Sequence, residues 1–461
     1  MAKNTLSVGY ARIDITPPLG VNIAGYFKER IADTVLDPLE ACAIAVSDGK
    51  KKAVLITLDL CGLYGEEGGT AWRESVAKAA GIDVADVYIH ATHTHQGPIT
   101  RPDCPNPLNI AYRNYLALKI HDVALLALAD LAPAKMGFGT REAKNVAFIR
   151  RYRMKDGTAK TNPGVGNPDI VAPIGTTDER VHVLRFDREG KDSVLLVNFA
   201  NHPDVVGGNG ISGDWPSMTR RFTEKALDNV KCIFFNGAQG DVNHVNVHPT
   251  AGDFNDMFND FDGCSRGYGH ARHIARVVTG AVLSAFDKVE YVDVDSIRTV
   301  NKSVAIPANK ATAEELVLAH KYNDLHNAGR DDEIPYKAMM LTTVVAEAGR
   351  MVRLENAPDN FDMPFAAVAI GPVALFGIPG EPFNAVGRGL KESKDFRLVI
   401  PTCNTNFSKG YFPMKDSYEE GGYEARSSNF KAGAAERIIE EGLAILSELY
   451  FRFTNERGCH I

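Results

Sequence analysis

The chain has 461 residues, 44% of them hydrophobic, and a formal net charge of -7. That length supplies a large core. The mild acidity argues against nucleic acid or an anionic membrane as the main partner, and no apolar run reaches the roughly 18 residues a spanning helix needs. Cys42, Cys61, Cys104, Cys232, Cys264, Cys403 and Cys459 are odd in number and scattered, with no CxxC spacing. They read as reduced thiols, not as a disulfide or zinc-thiolate framework. The N-terminus, MAKNTLSVGYARIDITPP, has no apolar signal core, so the expected location is cytoplasmic.

In chain order, AVLITLDL (53–60) is a continuous apolar run expected to form a buried strand. TAWRESVAKAAG (70–81) predicts a helix stopped by Gly81, and VADVYIHAT (84–92) the next strand. This alternation points to an α/β fold, a mixed β-sheet core with flanking helices. A long amphipathic helix follows at 114–131. VHVLRFD (181–187) and SVLLVNFAN (193–201) predict a strand pair, 216–229 a helix, KCIFFNGA (231–238) a strand and 265–287 a helix. The stretch 288–360 reads as a variable insert carrying a surface helix, ATAEELVLAHKYNDLHNAG; within it LHNAGRDDEIP (325–335) reads as a solvated loop before a lid. FAAVAIGPVALFGIPGE (365–381) returns to buried strands, and 434–450 is a closing amphipathic helix. No Pro/Ser-rich linker divides the chain, so one domain over 1–461 is expected.

Polar clusters stand at the ends of these apolar strands, where open α/β sheets build their sites. HATHTHQGP (90–98) holds three histidines. In an extended segment His93 and His95 would face one side, as a metal pair or a ligand-plus-base pair. VNFANHPDVV brings His202 to a strand end, where a lone histidine is more often structural. FFNGAQGDVNHVNVH carries glycines, Asp241, Asn243, His244 and His248. In ALFGIPGEPFNAVG, Glu381 sits between Gly380 and Pro382, a poor place for a merely solvating charge. SKGYFPMKDSYEEGGYEA is rich in tyrosine and glycine, residues that mostly pack in such segments.

Taken together, their order and spacing resemble the neutral (non-lysosomal) ceramidase family, specifically its N-terminal catalytic domain. The resemblance runs from VGYARIDITPPLGVNIAGYF through Asp37–Leu39, HATHTHQGP, NHP, ISGDWPSM, NGAQGDVN and IPGEPF to the Tyr411–Tyr423 segment. It leaves out much of 245–360 and the family's C-terminal immunoglobulin-like domain, which is not expected here. It implies one Zn2+ per chain held by His93, His202, Glu381 and Tyr411. It also implies supporting roles for His95, for Tyr423 twelve positions after Tyr411, and for Arg150 near the substrate carbonyl. Two imidazoles, a carboxylate and a phenol oxygen form a set suited to zinc.

One position departs from the family. Its GDVSPN-like motif carries a serine where this chain has Asn243, in GDVNHV, and asparagine cannot form an acyl-enzyme. The adjacent His244 is expected to touch the substrate or to be a satisfied loop histidine. The expected function is therefore a zinc-dependent hydrolase cleaving an amide C–N bond of a small polar or N-acylated substrate with water as nucleophile. The alternatives are a zinc lactonase or esterase, or a carbohydrate-modifying isomerase or lyase on the same scaffold. A true ceramidase or a non-catalytic binding protein rank lower. The expected partner is a small molecule, with no nucleic acid and no stable membrane insertion; a homo-oligomer is left open.

Overall fold

The structure is a computed structural model that describes residues 6–65 and 68–456; Cys459 lies outside the described residues. Among these residues a nine-stranded mixed sheet is built from β1 (Ser7–Asp14), β2 (Glu40–Ser47), β3 (Lys52–Leu58), β4 (Val87–Ala91), β5 (Ala132–Glu142), β6 (Arg180–Arg188), β7 (Ser193–Phe199), β8 (Val230–Asn236) and β9 (Glu290–Val292). Its order is β8-β7-β6-β5-β1-β2-β3-β4, with β9 also pairing β5. Neighbours are antiparallel except β3 with β4 and β7 with β8. A second, four-stranded sheet has the order β10 (Ile297–Pro307), β11 (Asn360–Ile370), β12 (Val373–Gly377), β13 (Leu398–Thr402), the last pair parallel.

Four layers result. Helices α1 (Thr70–Ala80) and α2 (Pro107–Ala129) cover one half of the large sheet's outer face, where Ile56 and Leu58 meet Val76, Leu116 and Ile120. Helices α3 (Asp214–Ala226) and α4 (Tyr268–Phe286) cover the other half through Val197, Phe234, Met218 and Ile274. The inner face packs on the second sheet, with Ile44, Leu55, Leu184 and Ile233 in one core with Val368, Leu375 and Ile400. On the far side of that sheet, Phe376 meets Ile438 and Leu446 of the closing helix (Ala434–Glu456). Strands buried on both faces have no polar side to show, which is why β3 and β7 read as unbroken apolar runs.

The expected elements are present, most within a few residues at each end, but the helix expected over 114–131 begins at Pro107 and the one expected over 434–450 runs on to Glu456. Gly81 ends α1 at φ 64°, a left-handed conformation that glycine adopts without Cβ strain. Asn106 caps α2 by accepting from the Leu108 N–H. The strand expected over 84–92 opens with a 3-10 turn, Val84–Asp86, and the helix expected over 265–287 begins at Tyr268. The reading of 288–360 is corrected. Besides the expected helix α5 (Ala313–Asn327), it contributes β9, β10 and a second helix, α6 (Ala338–Leu354). Strand β10 alternates exposed and buried residues at its far end, a half-covered edge whose weak apolar signal resembles a surface loop.

Three parallel strand pairs finish at one edge of the two sheets. The Ala91 N–H donates to the Asn404 carbonyl at 3.0 Å, the Cys403 N–H to that of Asn236 at 3.0 Å, and the Asn236 N–H to His90 Nε2 at 3.0 Å. Carboxyl ends from both sheets thus meet, and the polar clusters follow them into one place. No helix among the described residues is long and apolar enough to cross a membrane.

Candidate functional site

Strand β4 ends at Ala91, and two residues later His93 takes φ 73°. The two histidines therefore converge through a left-handed turn, not through the strand alternation expected from an extended segment. His95 Nε2 comes within 3.3 Å of His93 Nε2. His202 arrives from the end of β7, its Nε2 3.2 Å from that of His93. Glu381 follows β12 and pairs in parallel with Tyr411 across a two-residue ladder. An added Cβ at Gly380 would stand 2.5 Å from the Gly410 carbonyl oxygen, so that close crossing needs glycine.

His93, His202 and Glu381 form a buried trio of ligand-type atoms. Glu381 Oε2 lies 3.1 Å from His93 Nε2 and 3.4 Å from His202 Nε2, yet has no well-directed hydrogen-bond donor. The other ring nitrogens are occupied. His93 Nδ1 bonds the Cys61 carbonyl at 2.5 Å, and His202 Nδ1 that of Gln239 at 3.0 Å. Donation from Nδ1 leaves the Nε2 lone pairs aimed at a common point beside the carboxylate, the arrangement metal-ligating histidines adopt. An orphaned buried oxygen with two converging imidazole nitrogens fits a divalent metal of zinc type. Cys61, His93 and His95 form a second such group on the same cluster. Burial alone would raise the Glu381 carboxyl, but its contacts with His93 and His202 hold it well below the usual range. Burial pushes His95 well down, so its ring is neutral.

The cluster lies in a cavity of about 470 Å³ that Arg150, Tyr411 and Tyr423 also line. Burial raises both phenols, Tyr411 strongly and Tyr423 beyond its ordinary value, with the Glu381 charge adding to each. The Tyr411 and Tyr423 rings stand 5.6 Å apart, and the Arg150 guanidinium 5.5 Å from the Tyr411 ring. Arg150 Nε donates to Glu424 Oε1 at 2.6 Å and Nη2 to the Gly240 carbonyl at 2.7 Å. Arg151, the next residue, turns to Ser417, Glu420 and Gly421.

Neither Asn243 nor His244 lines the cavity. Asn243 Nδ2 donates to Asn162 Oδ1 at 3.0 Å while its Oδ1 accepts the Val245 N–H, so it reaches the cavity only through Asn162. His244 stands behind Asp204, its Nδ1 3.3 Å from Asp204 Oδ1 and its Nε2 bonded to the Ser265 carbonyl at 2.7 Å. His90 is fully buried against Thr57, Cys403 and Asn236. Asp214 accepts the N–H groups of Val205, Val206 and Trp215 and so pins the loop after His202. Asp241 accepts the Asn384 N–H and offers its carbonyl to the Arg150 N–H.

Sequence reasoning missed Asp204, Tyr26, Phe261 and Cys61 on the cavity wall, along with Met339, Val345 and Gly349 of α6. Asp204 was within reach, two residues after His202 in a strand-end motif. Cys61 stands three residues past the end of β3, another strand end. His326 also lines the cavity, so part of the 325–335 stretch faces the site.

Solved structures share this architecture. A neutral ceramidase from Pseudomonas aeruginosa superposes with a TM-score of 0.71 at 18% identity, over 98% of this chain and 75% of that one. The chain has the neutral-ceramidase fold. A ceramidase complexed with C2 gives a TM-score of 0.69 at 16% identity, over 98% and 76% of the two chains. No protein-family model matches the sequence, and no curated protein matches it. The fold sets the frame, and chemistry has to be argued from the site.

Proposed function

We propose that the protein is a zinc-dependent hydrolase that cleaves an amide C–N bond of a small polar or N-acylated substrate. One observation carries this reading: His93 Nε2, His202 Nε2 and Glu381 Oε2 converge within 3.1–3.4 Å of one another, buried at the floor of a cavity. His93, His202 and Glu381 would hold the ion, with Tyr411 as the fourth group that the family resemblance implies. Zinc bound there supplies Lewis acidity for the attack of water on a carbonyl.

The chain's own groups account for the rest. Water adds to the carbonyl carbon and the C–N bond breaks, giving a carboxylic acid and an amine. His95, neutral and beside the ligand cluster, carries the water's proton to the leaving nitrogen. Arg150, fixed by Glu424, and the phenol of Tyr423 supply donors for the oxygen that gains charge. No acyl-enzyme is required, which accords with an asparagine at position 243 that does not line the cavity.

Elemental analysis of the purified chain against His93→Ala and Glu381→Ala, with turnover on amide and lactone panels, tests the proposal. One zinc per wild-type chain, lost in both variants, with amide cleavage, is the expected result. Wild-type protein that takes up no zinc when supplied with it, or that opens lactones alone, overturns the reading.

A further inference from the structure

The cavity's buried arginines are paired with carboxylates, while its exposed arginines are paired weakly or not at all. Arg150 is paired with Glu424 at 2.6 Å. Arg266 is paired with Asp262 at 2.7 Å, and with Asp260 and Asp204 further off. His326 Nδ1 stands 2.8 Å from Asp331. Arg353, in the last turn of α6, is different. Its Nη2 donates to Asn429 Oδ1 at 2.9 Å and its Nη1 reaches the Gly349 carbonyl at 3.4 Å. Among the described residues no carboxylate comes within ion-pair distance of it. The Arg101 side chain lines the same cavity from the loop after the histidine motif. Its one carboxylate contact, Asp103 at 3.4 Å, joins two side chains that are 56% and 76% exposed. Such a surface pair holds little of the guanidinium's binding capacity.

Two arginines that share a cavity with only the exposed Asp103 as counter-charge repel each other. Partial enclosure and the nearby charges of Arg350 and Arg101 push the Arg353 guanidinium down, although the residue stays exposed to solvent. On a chain whose net charge is -7, a solvent-exposed cationic rim is a local field that draws an anionic ligand toward the cavity. Guanidinium forks are built for planar or tetrahedral oxyanions, which they grip with paired hydrogen bonds.

We infer that Arg353 and Arg101 form an oxyanion subsite at the cavity rim, so that the substrate is an amide bearing a carboxylate or phosphate on the side away from the scissile bond. This deepens the amidase reading and rests on it for the cavity being the substrate site. The rim sets specificity, while the floor does the chemistry.

Calorimetric titration of the full, zinc-supplied chain tests it with four probes. N-acetyl-β-alanine carries a carboxylate, and N-acetyl-β-alaninamide is its neutral isostere. N-acetylethanolamine phosphate carries a phosphate, and N-acetylethanolamine is its neutral counterpart. At least one anionic probe is expected to bind about tenfold tighter than its neutral partner, and the better anion names the oxyanion. That preference should fall below about twofold in Arg353→Met combined with Arg101→Met, and recover in part in Arg353→Lys, which keeps the charge and loses the fork. Anionic and neutral probes that bind alike, or fail to bind at all, overturn the inference. So does a preference that survives the double substitution, because the ligand cluster would then be the anion's partner. A preference abolished in the arginine variants, on a protein that hydrolyses none of the probes, would uphold the subsite while the amidase reading fell.

Discussion

Replacing Arg150 with Met strips the counter-charge from Glu424, whose side chain is fully buried. Removing one partner of a buried, hydrogen-bonded ion pair costs about 3–5 kcal/mol, chiefly because the survivor is left charged in a dry place. Here the survivor keeps some company. Glu424 Oε2 still accepts from Thr161 Oγ1 at 2.7 Å, and Arg151 Nε stands 4.0 Å away. The low end, about 3 kcal/mol, is therefore expected. Glu424→Gln leaves a neutral amide beside Arg150, which retains the Gly240 carbonyl at 2.7 Å, so about 2 kcal/mol is expected. In the double variant both charges are gone, and the total should fall short of the sum by about 1.5 kcal/mol or more. Urea unfolding of the four proteins, followed by fluorescence and far-UV dichroism with coincident transitions, measures the cycle. A cost below about 1 kcal/mol for Arg150→Met, or additivity within about 0.5 kcal/mol, would refute the pair as the element that fixes Arg150 over the cavity. Because Glu424 adjoins Tyr423, Glu424→Gln should also lower turnover while zinc content stays unchanged.

Gly25→Ala should disable His95 without removing the metal. Gly25 sits at φ 102°, and an added Cβ would fall 2.5 Å from His95 Cγ. Turnover lost with zinc content intact is the expected pairing, and unchanged turnover would show that the ring has room to move. Stability should also decline in acid through His90, which burial pushes down to about 3. A base held below its unfolded value of about 6.5 contributes stability above that value. The contribution is lost as pH falls toward 3, and is at most about 5 kcal/mol. Urea midpoints measured from pH 7 to pH 4 should show this slope, and His90→Gln should flatten it. Zinc removal by a chelator should lower the thermal midpoint of the wild type but not of Glu381→Ala, since a ligand stabilises only a protein that binds it. Equal shifts in both proteins would place the ion elsewhere.

The sequence exposed the floor of the site better than its walls, for a reason that particular residues make plain. His93, His202 and Glu381 each follow an apolar strand buried on both faces, so the strand signal and the polar interruption are both strong. Their convergence could be guessed because strand ends collect at one edge. The route was different, since His93 reaches its neighbours through a positive φ that no alternation rule anticipates. That two sheets stack face to face was not legible, because β11 and β12 are apolar whether a helix or another sheet covers them.

The walls fail for the opposite reason. Helix α6 buries one stripe under a charged surface and gives the cavity Met339, Val345 and Arg353 from positions that resemble any amphipathic helix. Asn243 and His244 show the complementary case. A motif read in one dimension puts them beside the glycine turn that Arg150 grips, but the chain turns their side chains onto Asn162 and Asp204, one layer behind the cavity surface. A strand end tells where chemistry gathers, while the direction of each side chain past that end is set by partners far away in sequence. Asn162 and Asp204, not the motif residues behind them, are therefore the positions through which substitution at 243 or 244 would act on bound substrate.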